Sequence, residues 1–213
     1  MTTMAPAAAR ALWLALLDNA ARIVVEADAL FPSPRAQSLV VLAQEEVGKA
    51  IWVRKAFWNA WYGDDETSRE VPELHSQWRA HSAKLMAATN YYTAMMEVPG
   101  SPKPVDIELV WAHAPEVVVA YLKQTALEDN QAKQKGFYVD LEEDGTFTVP
   151  HEIDRPLLRS EIWAAADMIK WSLDDDHMIC SAARKPRTSC DTIATKLDSV
   201  LAHDPREWTE ARD

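Results

Sequence analysis

Three ionisable side chains interrupt an otherwise apolar stretch at residues 39–51. The stretch reads Leu-Val-Val-Leu-Ala-Gln-Glu-Glu-Val-Gly-Lys-Ala-Ile, and its ionisable members are Glu45, Glu46 and Lys49. In a helix either acid shares a face with the lysine, at a spacing of four or three residues. Burial of an unpaired carboxylate is costly, so an inward-facing Glu46 would need Lys49 or a group from another helix as its partner. The alternative is that one glutamate faces solvent and the other forms an ion pair within the helix.

Other polar side chains in apolar surroundings could join this segment. His81 and Lys84 are three residues apart and share a helical face, and Asn19 and Asp28 are flanked by apolar residues near the amino terminus. Gly48 lies inside the apolar segment, where glycine costs about 1 kcal/mol relative to alanine in a helix, so we expect a close approach to its backbone. These polar groups from three successive helices are candidates for one shared pocket. A lone helical histidine is also common at a surface or as a paired core residue.

Several other chemistries lack their sequence signals. A carboxylate-bridged diiron bundle needs Glu-x-x-His on two helices. That motif is absent, and the nearest analogue, Asp174-x-x-His177, lies in an acidic run that we interpret as a solvated helix end. The five glycines form neither a dinucleotide fingerprint nor a phosphate-binding loop, and no Gly-x-Ser-x-Gly motif is present. Two isolated cysteines, Cys180 and Cys190, suit a reducing compartment. We expect no cofactor and no metal.

The composition is that of an acidic globular protein. Among 213 residues, 48% are hydrophobic and 26% are charged, and 22 Lys and Arg against 33 Asp and Glu give a net charge of −11. Such a charge disfavours a general nucleic-acid coat or a membrane-surface protein, because both attract anions with a positive field. No apolar run approaches the roughly 20 residues of a membrane helix, and no basic residue precedes Arg10. We therefore expect a cytoplasmic protein that does not bind membranes.

The apolar periodicity and the breakers predict a mainly all-α fold, a bundle of long antiparallel helices with a small inserted β-hairpin near residues 137–149. Ser33 and Pro34 form a cap and first position for the second helix, and Gly63 ends it. We expect a single domain over residues 1–213, with a core at about 7–183 and a helical extension at the carboxyl terminus. The proline-rich segment 99–104 is the only credible boundary. The predicted helices cover residues 7–30, 34–62, 72–98, 105–135 with a restart at 115, 154–183 and 190–201.

Three segments resemble the AbiV abortive-infection family of the HEPN superfamily. They are the opening helical hairpin with Leu-Ala-Gln-Glu-Glu-Val-Gly-Lys-Ala at 42–50, the His-Ser-Ala-Lys-Leu segment at 81–85, and Lys-Gln-Lys-Gly-Phe-Tyr-Val-Asp at 133–140. Together they span roughly residues 11–149. The resemblance implies a HEPN-like helical bundle, usually a homodimer, and an anti-phage protein that arrests growth or translation of the infected cell. It also implies a phage-encoded trigger protein as a partner.

Many HEPN proteins are metal-independent ribonucleases with an Arg-x(4–6)-His motif, so the resemblance also implies RNA, such as tRNA or rRNA, as a partner. In this sequence only Arg69 and His75 have that spacing, and Pro72 starts a helix between them. A catalytic site would instead use Glu46, Lys49, His81 and Lys84, with His81 as the proton shuttle and Lys49 or Lys84 holding a phosphate. The remaining candidates are binding residues, with Asn19 orienting the site and three others at its entrance: Lys133, Lys135 and Tyr138.

Three functions remain open on the sequence alone. The first is a phage-activated toxin, a ribonuclease or related translation blocker. The second is a non-catalytic helical binding module, whose acidic surface sequesters a phage or translation-related protein. In the third, the polar core is structural and Glu46 and Lys49 only set the helix register. Discrete RNA cleavage would distinguish the first function from the second, and apolar replacement of both residues would test the third.

Overall fold

A computed structural model describes most of the chain as helix. The predicted proline-rich boundary, the predicted helix at 105–114, Cys190 and residues 204–213 lie outside the described residues. So does most of the turn predicted between the two strands. The described ranges are 3–63, 65–95, 115–141, 145–150, 154–186 and 191–203.

Seven helices and one short strand pair make up the described part of the chain, which confirms the all-α prediction. We number them in chain order. The helices are α1 (Pro6–Leu30), α2 (Pro34–Tyr62), α3 (Pro72–Ser76), α4 (His81–Met95), α5 (Pro115–Phe137), α6 (Arg155–Ala182) and α7 (Asp191–Leu201), and the strands are β1 (Asp140–Leu141) and β2 (Phe147–Thr148).

Local sequence signals account for several helix ends. The Ser33 hydroxyl accepts a hydrogen bond from the Arg35 amide at 3.3 Å, and Pro34 occupies the first position of α2. Asp154 caps α6 in the same way, accepting from the Leu157 amide at 3.3 Å. The α1–α2 hairpin therefore begins and ends within one residue of its predicted bounds.

The predicted third helix is two helices in the structure. α3 ends at Ser76, a turn occupies residues 77–80, and α4 starts at His81. No proline or glycine lies between Pro72 and Met95, so the sequence contains no breaker at this point. The break lets α4 take its own direction against α2, and it makes His81 the first residue of a helix.

The central element is α2, which packs against α1, α4, α5 and α6. One face carries Val40, Val47 and Phe57 into the main core, together with apolar side chains of α1, α6 and α7. The other face carries Val41 into a second, small core with Leu85 of α4 and Ala126 of α5. Because it is covered on two sides, α2 buries polar side chains as well as apolar ones.

Buried ion pairs join α6 to the first two helices. Asp176 is 3% exposed; it accepts from Arg10 at 2.5 Å and from the Tyr62 hydroxyl at 2.6 Å, and Asp175 pairs with Arg54. The acidic run at 174–176 was therefore wrongly interpreted as a solvated helix end, because two of its three carboxylates find cationic partners on the facing helices.

The strand pair projects from the end of α5. β1 and β2 are antiparallel, with Asp140 opposite Thr148 and Leu141 opposite Phe147. Leu141 and Phe147 are 79% and 68% exposed, so the described residues cover little of this ribbon. No described helix has the length and apolar character needed to cross a membrane.

Candidate functional site

Three ionisable side chains from two helices meet around one buried carboxylate on α2. Glu45 of α2 accepts from Lys84 of α4 at 2.5 Å and from Lys133 of α5 at 2.6 Å. Both of its oxygens also lie 2.8 Å from Nδ1 of His81, at the start of α4. We call these residues the Glu45 cluster: Glu45, His81, Lys84 and Lys133.

The cluster is buried except at His81, whose side chain reaches solvent. The side chains of Glu45, Lys84 and Lys133 are 4%, 6% and 11% exposed, whereas that of His81 is 49% exposed. Burial alone would raise the pKa of Glu45, but the hydrogen bonds from Lys133, Lys84 and His81 outweigh it and hold this pKa below its ordinary value. Glu45 is therefore a carboxylate at neutral pH.

The buried carboxylate also determines which histidine nitrogen can react. A carboxylate only accepts hydrogen bonds, so a neutral His81 ring bonded to Glu45 carries its proton on Nδ1. Lys133 Nζ lies slightly farther from Nδ1, at 3.0 Å, and would donate to it only in the other tautomer. The Nδ1–H tautomer leaves the lone pair on Nε2, the nitrogen that is not engaged by the cluster. A carboxylate that orients a histidine in this way is a recurring part of acid–base catalytic sites.

One glycine on α2 and one on α5 let the other two helices come close enough to α2 for these contacts. A Cβ atom on Gly48 would lie 2.0 Å from the Lys84 carbonyl oxygen, so only glycine lets α4 approach α2 here. On α5, Gly136 has the same role, because its Cβ would lie 2.0 Å from the Ser38 hydroxyl. That hydroxyl donates to the Lys133 carbonyl at 2.7 Å. The backbones that carry Lys84 and Lys133 are therefore both positioned by direct contact with α2.

The acid at the centre is Glu45, whereas the sequence analysis placed Glu46 there. Glu46 is bonded to Lys49 on its own helix at 2.5 Å, and both side chains are only partly buried. Adjacent helix positions point about 100° apart, so the two glutamates cannot share a face. The structure therefore brings His81 and Lys84 together with Glu45 and Lys133, and it leaves Glu46 paired with Lys49 outside this group.

The other predicted binding residues lie outside the cluster. Asn19 is exposed on α1, and Lys135 and Tyr138 are exposed at the end of α5. Asp28, a further candidate partner, pairs with Arg159 of α6. Of the entrance residues, Lys133 alone contacts Glu45.

Arg69 and His75, which have the Arg-x(4–6)-His spacing, lie in different elements, the loop after α2 and helix α3. The Arg69 side chain donates to the Ala56 carbonyl at 3.0 Å and pairs with Asp65, and its backbone bridges to Met4. His75 is exposed on the short helix α3. The guanidinium group is thus committed to tethering the loop that follows α2.

One sequence signal could have identified Glu45. Gly48 marks the face of α2 that another helix approaches, and Glu45 lies three residues before it, whereas Glu46 lies two before it. Only the three-residue spacing keeps a side chain on that face. Lys133 had no comparable signal, because nothing local shows which face of α5 meets α2.

Comparison with known proteins identifies a family. No curated protein and no solved structure matches the chain. Within the described residues, no group of three or more histidine, cysteine, aspartate or glutamate side chains is arranged to hold a metal ion. The sequence model of the HEPN family described as AbiV matches residues 8–171, a range that includes all four members of the Glu45 cluster. The chain is therefore a member of the AbiV family of HEPN proteins.

Proposed function

We propose that this protein is an abortive-infection effector that arrests growth or translation of a phage-infected cell by cleaving RNA at the Glu45 cluster. Membership of the AbiV family supports the role in abortive infection. The ribonuclease activity rests on one observation, the 2.8 Å contacts between Nδ1 of the half-exposed His81 and the buried carboxylate of Glu45.

In the proposed reaction, His81 acts as the general base through Nε2. Nε2 accepts the proton of a ribose 2′-hydroxyl, the 2′-oxygen forms a bond to the adjacent phosphorus, and the bond from phosphorus to the 5′-oxygen breaks. The protonated ring then gives its proton to the departing 5′-oxygen, so that the histidine ends unchanged. Glu45 stabilises the charged ring between these two transfers. DNA is excluded as a substrate because it lacks the 2′-hydroxyl.

The test uses the full-length chain, incubated with purified tRNA and rRNA with and without lysate of phage-infected cells. We expect discrete RNA fragments from the unmodified chain. We expect at least about a hundredfold lower cleavage rate from His81→Gln, since a general base contributes that much or more. His75→Gln tests the alternative motif and should cleave at the unmodified rate. Loss of cleavage in His75→Gln with full activity in a folded His81→Gln would reject the assignment.

A non-catalytic binding module is the second candidate, and the exposed ribbon favours it. Leu141 and Phe147 face each other across the strands and are largely exposed, on a chain with a net charge of −11. Such a surface suits a partner protein with apolar and basic side chains. Intact RNA together with a phage or translation-related protein that co-purifies with the chain would support this function over cleavage.

A further inference from the structure

The Glu45 cluster holds more positive than negative charge. One carboxylate contacts two ammonium groups, and all three side chains are nearly buried. Among the described residues, neither lysine contacts a second acid. Buried charges are stable when they are paired, so the cluster lacks one negative charge even with a neutral His81.

The two lysines also retain hydrogen-bond donors. An ammonium group has three N–H bonds, and with the Nδ1–H tautomer each lysine uses one of them on Glu45. Two donors therefore remain on each lysine without a partner among the described side chains. An ammonium group is a compact charge whose N–H bonds point in tetrahedral directions. Such donors suit the oxygens of a phosphate group.

The helix that carries His81 adds further positive charge at the same place. His81 is the first residue of the 15-residue α4, and the residue before it is Ala80, which has no side chain able to cap the helix. The first backbone N–H groups of a helix lack intrahelical partners, and they carry partial positive charge. The half-exposed His81 thus marks an opening at which buried ammonium groups and a helix amino terminus come together.

We propose that this opening binds a phosphate group, with Lys133 and Lys84 as its principal ligands. The proposal deepens the proposed function, because a phosphodiester with one negative charge balances the cluster while His81 stays neutral and able to act as a base. The same chemistry would also bind a free phosphate ion, and the experiment separates the two sources.

The test is calorimetric titration of the full-length chain with inorganic phosphate, and with a 2′-O-methyl dinucleotide that cannot be cleaved. Lys133→Met should weaken binding of phosphate at least about tenfold, whereas Lys123→Met, an exposed lysine on the same helix, should leave it unchanged. Equal binding by Lys133→Met and the unmodified chain, or an equal loss in both variants, would overturn the proposal. Displacement of phosphate by the dinucleotide identifies an RNA backbone as the source, and its absence identifies the free ion.

A second measurement needs no variant. Phosphate at low millimolar concentration, where its general salting-out effect is negligible, should raise the Tm of the unmodified chain in a saturable way that chloride does not reproduce, because a ligand that binds only the folded state stabilises it. Equal Tm values in the two salts would also overturn the proposal. Phosphate binding without RNA cleavage would leave the anion site standing and reject the ribonuclease. RNA cleavage without phosphate binding would support the ribonuclease and reject the anion site.

Discussion

Glu45 on α2 neutralises buried lysines on two other helices, α4 and α5. Among the described side chains its carboxylate is the one acid that contacts two buried ammonium groups, whereas Glu46, the next residue, pairs with one partly exposed lysine on its own helix. The same substitution at these two adjacent positions should therefore have very different consequences.

Glu45→Gln should lower the free energy of unfolding by about 3 kcal/mol, because it leaves two like charges buried side by side. Glu46→Gln should lower it by less than about 1 kcal/mol, as expected for a partly exposed ion pair. Urea denaturation of both variants at pH 7 measures the difference. Similar values for the two would show that Glu45 is not the acid at the centre.

Glu161 on α6 gives the molecule a pH dependence near neutrality. Burial, opposed by a hydrogen bond from Gln37 at 3.3 Å and assisted by the nearby Asp129, raises the pKa of Glu161 to about 7. The unfolded chain titrates this group near 4.5. The folded state therefore holds the proton more tightly, and stability should fall as the pH rises from about 4.5 to about 7.

Glu161→Gln should remove this slope, because the amide does not titrate. We expect the variant to gain about 1 to 2 kcal/mol over the unmodified chain at pH 8 and to lose that advantage at pH 4.5. The check is the Tm of both proteins across this pH range. Parallel curves would mean that Glu161 does not have a raised pKa in the folded state.

At the scale of elements, the site depends on how closely α4 and α5 approach α2. Gly48 and Gly136 remove the side chains that would keep the backbones apart, and the small core of Val41, Leu85 and Ala126 lies along the same contact. The charged contacts of the cluster add to this apolar packing in holding α4 and α5 against α2.

Gly48→Ala tests that approach. Alanine favours a helix over glycine by about 1 kcal/mol, yet its Cβ would collide with the Lys84 carbonyl, so we expect a net loss of about 1 to 3 kcal/mol in unfolding free energy. Lys55→Ala, at an exposed position of the same helix, should change it by less than about 0.5 kcal/mol. A stabilised Gly48→Ala protein would contradict the packing of α4 on α2.

The same elements show how far the sequence predicts the fold. Caps and prolines are local signals, and the bounds of α1, α2 and α6 follow from them within about one residue. The break before His81 follows from packing against α2, which no local residue reports. The site was predictable to the same extent: His81 and Lys84 share a helix face by spacing alone, whereas the choice of Glu45 and the inclusion of Lys133 require the relative rotation of three helices.

At the scale of the molecule, the exposed ribbon is the surface least explained by the described fold. A two-stranded ribbon is marginal by itself, and large apolar side chains on it expose area that a partner could cover. The proposed role of this ribbon in growth arrest can be tested separately from its contribution to stability.

Replacing Leu141 and Phe147 by serine should change the Tm little, since both side chains are already solvated. If the ribbon binds the trigger or another protein, growth arrest in infected cells should be lost while RNA cleavage by the purified chain persists. Leu157→Ser, at an exposed apolar position on α6, is the matched control and should retain arrest. Full growth arrest by the double variant would show that these two apolar side chains are not needed for function.

The hydrogen bond from Ser38 to the Lys133 carbonyl has a mechanical consequence. Lys133 lies one helical turn before Phe137, where α5 ends and the strands begin. A bound protein that moved the ribbon would load this anchor, and through it the backbone that carries the Lys133 side chain. A protein bound to the projecting strands would therefore act within a few residues of a lysine that neutralises Glu45.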